Sequence, residues 1–202
     1  MHEHAAKRGG MWRYNAATVQ TDVTDYVLTH CGNYSTLLDV AVNHGYMINR
    51  LQHARPKAEH WGTDISRHMV GAAAVRCERC AGFGTMDLNK LELPNGFPKA
   101  FDVVVVSDVL FFMAWAGLPP AACRVLPSSV LRASQRRFFR SLTRLAIRQV
   151  VFSDHEDNPC VVDFLKGVGA VRKPTVATKH RRARSVWIAK GDADLNRYHI
   201  FR

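Results

Sequence analysis

The chain has no apolar run approaching the roughly 18 residues that a membrane span needs, which excludes a spanning helix. Its first residues, Met-His-Glu-His-Ala-Ala-Lys-Arg, hold no apolar stretch of the signal-peptide kind. These absences make an intracellular location the expectation, cytoplasmic or mitochondrial. Cysteine is sparse and odd in number, with five at Cys31, Cys77, Cys80, Cys123 and Cys160. A scattered odd set argues against a disulfide framework and predicts free thiols in a reducing compartment. Cys77-Glu78-Arg79-Cys80 has the C-x-x-C form, with His68 upstream. Zinc needs a second ligand pair at close spacing, and none is evident. Two cysteines on or just past a helix, with no metal, is the expectation. Acidic residues are also scarce: 17 against 28 Lys and Arg, a net charge of +11. Between Asp108 and Asp154 there are none. Such an imbalance favours polyanionic partners and says nothing about fold.

What is present points to a packed α/β domain. The chain has 202 residues, 47% of them hydrophobic, enough for one compact domain with a substantial core. Residues 37–51 read as a short apolar strand, Leu37 to Ala41, that turns tightly through Gly45 into a helix from Tyr46 to Ala54. A strand that turns through Gly into a helix is the first unit of a nucleotide-binding α/β sheet. Trp12 to His30 reads as a preceding helix, broken at Cys31-Gly32-Asn33. His60–Asp64 is a second strand, and Ser66 is placed to cap a helix running through Cys80. Gly82–Met86 is a third strand, and Pro94, Gly96 and Pro98 mark a loop over Leu88–Lys99. Phe101–Ser107 contains four consecutive valines, which suits a parallel strand buried on both faces. A short helix is expected over Leu110–Ala116, a long one over Ser129–Ile147, and another over Val161–Lys166. Strands are expected at Gln149–Ser153 and Arg184–Ala189. This alternation predicts a three-layer α/β sandwich with a mostly parallel central sheet. The organisation reads as an N-terminal helical segment over 1–33, the α/β domain over 34–190, and a tail over 191–202.

The series Leu38-Asp39-Val40 with Gly45 and Leu51, then Gly62-Thr63-Asp64-Ile65-Ser66, then Met86-Asp87-Leu88, then Phe101 to Leu110, resembles the class I S-adenosylmethionine (SAM)-dependent methyltransferases. The likeness spans about residues 34–190 and implies a Rossmann-like fold with SAM as cofactor. Ala41 and Asn43 stand where that family usually carries Gly. The resemblance implies that Asp64, after the second strand, accepts the ribose hydroxyls. It implies that Asp87 and Leu88 meet the adenine, and that Asp39 steers the ammonium. Ala41, Asn43 and Gly45 would border the methionine end. Asp108, after the fourth strand, is placed to face the reacting methyl and equally to cap the helix that follows. Methyl transfer is an in-line displacement, so much of the catalysis can come from alignment. No decisive general base is visible.

Arginine recurs at every fourth position at 132, 136, 140, 144 and 148. On a helix these residues form a slanting stripe, with Phe138, Leu142 and Leu145 free to face the core. A second basic cluster, Lys179, Arg181 and Arg182, precedes the last strand. Acids are missing around the stripe, so pairing along the helix cannot neutralise it. The expected partner is RNA or a ribonucleoprotein. Three functions stay open: a SAM-dependent methyltransferase acting on RNA, an inactive scaffold of that fold serving RNA assembly, and a small-molecule or protein methyltransferase. Protein partners are compatible with each.

Overall fold

In a computed structural model of the chain, residues 13–88, 90–107, 137–155, 165–166, 170–173 and 184–190 are described. The strands are β1 (Thr36–Val40), β2 (Glu59–Asp64), β3 (Gly82–Thr85), β4 (Phe101–Ser107), β5 (Ala146–His155), β6 (Val171–Lys173) and β7 (Arg184–Lys190). They form one seven-stranded sheet in the order β3-β2-β1-β4-β5-β7-β6. All pairs from β3 across to β5 are parallel, and β7 runs antiparallel to both of its neighbours. The chain reverses direction across the sheet between β1 and β4. That is the switch point where open α/β sheets leave a crevice at the strand carboxyl ends.

Among the described residues, three helices, α1 (Arg13–His30), α2 (Tyr46–Ala54) and α3 (Arg67–Arg76), precede β4. Val23 and Val27 of α1 and Met47 and Leu51 of α2 pack with Leu37, Val103, Val105 and Val151. On the opposite sheet face, Leu38, Val40, Val104, Val106, Val150 and Phe152 pack under Phe138, Phe139, Leu142 and Leu145. The four valines Val103 to Val106 are fully buried, alternating between the two clusters. Burial on both faces explains why β4 reads as an unbroken apolar run. The fold is thus the expected three-layer sandwich.

Two expected helix ends need correction. The helix expected to continue to Ile147 ends at residue 144, and Ala146 already begins β5. The reason is tertiary pairing: Ala146 is in register with Phe101 of β4. Arg148 therefore leaves the stripe. Its guanidinium instead donates to the carbonyls of Asn33 (2.7 Å) and Cys31 (3.2 Å), just past the end of α1. Arg55 adds a bond to the Leu28 carbonyl, so two guanidinium groups satisfy carbonyls that a helix terminus leaves unpaired. The second correction concerns α3, which stops at Arg76 rather than Cys80.

At the amino ends of the strands, His60 is fully buried. Its Nδ1 donates towards Gln52 Oε1 (2.8 Å) and the Ala58 carbonyl (3.1 Å), and Nε2 accepts from the Tyr34 hydroxyl (3.0 Å). Burial holds its pKa down at about 4 against the usual 6.5. The fold favours neutral His60, so this contribution to stability is complete above pH 6.5 and is lost as pH falls towards 4. The expected loss is about 3 kcal/mol across that window. Denaturant titrations of the wild type and His60→Gln at several pH values check it. The variant should lack this component of the slope.

No helix among the described residues is long and apolar enough to cross a membrane. The helices expected at Leu110–Ala116 and over most of Val161–Lys166 lie outside the described residues, as does the 191–202 tail.

Candidate functional site

Among the described residues, the loop after β1 concentrates left-handed backbone. Ala41 (φ 65°), Asn43 (φ 52°) and Gly45 (φ 75°) all occupy the left-handed region. Only Gly adopts that region without cost; other L-residues lose roughly 1–2 kcal/mol there, with Asn among the better tolerated. Gly45 has a second reason to be Gly. A Cβ at this position would lie 2.9 Å from Cα of Ala73, so α3 packs directly on the loop. The alternating left-handed residues turn the chain from β1 into α2 within five positions. The turn is fixed by bonds from the Val42 amide to the Thr63 carbonyl (2.8 Å) and from the Gly45 amide to the Val42 carbonyl (3.0 Å).

Asp64 ends β2 beside this loop. Its Oδ2 accepts from the Asn43 amide (3.0 Å) and its Oδ1 from the Ser66 amide (2.9 Å). One carboxylate thereby joins the β1 loop to the start of α3, whose cap is Ser66 Oγ accepting from the Met69 amide (3.4 Å). A carboxylate accepts about four hydrogen bonds, so Asp64 retains capacity for a ligand's hydroxyls. Asp39 is buried on the same face of β1, where it pairs in register with Gly62 of β2. Burial pushes the Asp39 carboxyl well up, and neighbouring Asp64 adds to the shift. Asp64 is also raised by burial, with the Ser66, Asn43 and Ile65 amides and the His44 charge opposing. Two carboxyls held above their usual range at one sheet edge are suited to a ligand bearing positive charge. Cations favour the ionised form that burial resists.

The Met86 amide donates to the Asp64 carbonyl (2.9 Å), bringing Asp87 and Leu88 to the same edge. Leu88 is partly buried against the core. Ile65 was not singled out from sequence. It is an apolar side chain left 55% exposed directly after Asp64, and thus offers a surface for a flat apolar group. The signal was its place inside Gly62-Thr63-Asp64-Ile65-Ser66. The structure therefore brings Asp39, Ala41, Asn43, Gly45, Asp64, Asp87 and Leu88 to the carboxyl edges of β1, β2 and β3. Asp108, Arg132, Arg136, Lys179, Arg181 and Arg182 lie outside the described residues. Arg140 and Arg144 are exposed on the helical segment 137–144, opposite its buried Phe138, Phe139 and Leu142.

The expectation of free thiols is corrected at Cys77 and Cys80, which form a disulfide. The early end of α3 and a turn bond from the Cys80 amide to the Cys77 carbonyl (3.0 Å) bring the two Cα atoms to 5.4 Å, within bridging range. Cys31 is free, and burial pushes its thiol up to about 12, which leaves it unreactive. Among the described residues, no group of three or more His, Cys, Asp or Glu converges as a metal site.

Residues 38–131 match the family described as methyltransferase domain. No curated protein matches the chain in sequence. Among solved structures, the fold is similar to magnesium protoporphyrin IX methyltransferase from Synechocystis PCC 6803 with bound SAM. That likeness has 19% identity and a TM-score of 0.58, over 89% of this chain and 81% of the other. It is also similar to the N-methyltransferase NodS from Bradyrhizobium japonicum WM9 in complex with S-adenosyl-L-homocysteine, at 15% identity and a TM-score of 0.63, over 94% and 97%. A TehB-like SAM-dependent methyltransferase from Corynebacterium glutamicum is similar at 14% identity and a TM-score of 0.57, over 94% and 96%. At these identities the likeness establishes the fold.

Proposed function

We propose that this chain, whose residues 38–131 match a methyltransferase-domain family, is a class I SAM-dependent methyltransferase that binds SAM across the carboxyl edges of β1 and β2 and transfers its methyl group. The observation that carries this reading is the left-handed loop 41–45, tied to the Asp64 carboxylate on one side and packed against Ala73 on the other. Such a loop lets backbone approach a ligand closely, and Asp64 stands beside it for the ribose hydroxyls. Ile65 offers an apolar face to the adenine. Asp87 and the Leu88 amide supply polar contacts at its rim. Asp39 faces the ammonium end, where a positive charge offsets the cost of ionising a buried carboxyl. Bound SAM supplies an electrophilic methyl group. The residues of this chain hold it in line with an acceptor and exclude water, and Asp108 is assigned to the reacting end. Calorimetric titration with SAM and with its demethylated product tests the reading. Saturable binding of both is expected. Absence of binding by the folded wild type would leave the inactive-scaffold alternative.

RNA is the acceptor or partner this reading favours. The supporting observation is the exposure of Arg137, Arg140 and Arg144, with Phe138, Phe139, Leu142 and Leu145 buried behind them. Guanidinium groups spaced along one helix suit a phosphate backbone. Replacing Arg140 and Arg144 by Gln should preserve the fold, because exposed charges contribute little stability. RNA affinity should fall, and the slope of log affinity against log salt should flatten by up to about two. A wild type that does not bind RNA, or an unchanged slope, would instead favour a small-molecule or protein acceptor.

A further inference from the structure

Loop 41–45 is held from β2 by the Thr63 carbonyl and the Asp64 carboxylate. The opposite side of the loop is held by α3, through a side chain with no part in the cofactor contacts proposed above. Arg76, in the last turn of α3, donates from Nη1 to the His44 carbonyl. The same guanidinium lies over the Tyr46 ring, its Cζ 3.7 Å from the centroid. Between these two anchor points Ala73 meets Gly45. His44 passes the constraint inward, because its Nδ1 donates to Asn43 Oδ1 (2.5 Å). Arg76 thus grips the loop at residues 44 and 46, on either side of Gly45, and reaches left-handed Asn43 through His44. Its guanidinium is spent on a carbonyl and an aromatic face. A planar fork that stacks and donates at once is what Arg offers and Lys does not.

We propose that Arg76 is a positioning residue for the cofactor loop, and that it compensates for the non-glycine residues at positions 41 and 43. An Arg in the last turn of a helix also interacts favourably with the helix dipole. That role alone would not require contact with His44 and Tyr46, and a Lys would serve it equally. The inference rests on the reading that loop 41–45 borders SAM, so its test has one arm that needs no ligand.

Amide hydrogen exchange is measured on the wild type, Arg76→Met, Arg76→Lys and Arg76→Met with Ala41→Gly. In Arg76→Met, exchange at Asn43 and Gly45 should accelerate about tenfold while β1 and β4 amides keep their protection. Arg76→Lys should resemble Arg76→Met, since it keeps the charge and loses the fork. Adding Ala41→Gly, which removes backbone strain, should restore most of the protection. SAM affinity should follow the same pattern: about a tenfold loss in Arg76→Met, largely recovered when Ala41→Gly is added. Unchanged exchange at 43–45 overturns the proposal. So does acceleration spread evenly over the whole sheet, which would make Arg76 a residue of global stability. Full protection in Arg76→Lys overturns it as well, leaving only the helix-dipole role. A wild type that fails to bind SAM defeats the functional reading while the exchange data still decide the clamp.

Discussion

Asp64→Ala is expected to weaken SAM binding by about 1.5–3 kcal/mol, roughly ten- to a hundredfold, the scale of a hydrogen bond to a charged group. The loss has two sources. The ribose hydroxyls lose their acceptor, and the Asn43 and Ser66 amides lose the carboxylate that orders the loop around the ligand. Asp64→Asn separates them, because a side-chain carbonyl still accepts one bond while the charge is gone. Calorimetry on both folded variants gives the answer, and unchanged affinity in either would remove the carboxylate charge from the site. The neighbouring Asp39 adds a pH test with a defined sign. Both carboxyls are raised, so the fold favours their protonated forms. Their contribution to ligand-free stability is complete below the usual carboxylate range and is lost as pH rises through the folded values. SAM, which carries an ammonium and a sulfonium, favours the ionised forms, so its affinity should rise with pH over the same window. Asp39→Asn should therefore stabilise the free protein at neutral pH and weaken its binding of SAM. A variant that binds SAM as well as wild type would contradict the assigned role.

Gly45→Ala should be among the most destabilising single methyl additions in this chain. The substitution places a side chain in the left-handed region, at about 1–2 kcal/mol. It also drives a Cβ to 2.9 Å from Cα of Ala73, which is backbone and cannot rotate away. Overpacking of this kind adds about 1–3 kcal/mol. The sum, about 2–5 kcal/mol, corresponds to a melting temperature lowered by roughly 5–15 °C in a chain of this size. Gly71→Ala in α3 is the control. A Cβ there meets nothing within 4 Å, so the helix should gain about 0.5–1 kcal/mol. Thermal unfolding of the two variants checks both signs. A tolerated Gly45→Ala would mean that α3 shifts away from the loop at little cost.

The sequence by itself determined the elements whose burial is written locally. The four valines of β4, the Tyr46–Ala54 helix and the Ser66 cap follow from apolar runs, helical spacing and side-chain hydrogen bonding. The order of strands and turns also placed Asp39, Gly45 and Asp64 at one sheet edge, because carboxyl ends of parallel strands share an edge whatever the loops do. Local pattern failed where a distant partner decided. The fourfold arginine spacing runs on through Arg148, so periodicity extends the helix beyond 144. Pairing with β4 turns Ala146 into a strand residue and sends Arg148 to the end of α1 instead. The Cys77–Cys80 bond depends on where α3 stops, which propensity does not fix to within a turn. Contacts between Arg76 and His44, or His60 and Tyr34, span 32 and 26 positions, and no period in the sequence encodes them. The tertiary structure alone decided these, because each exists only once two separately formed elements are packed against the same sheet.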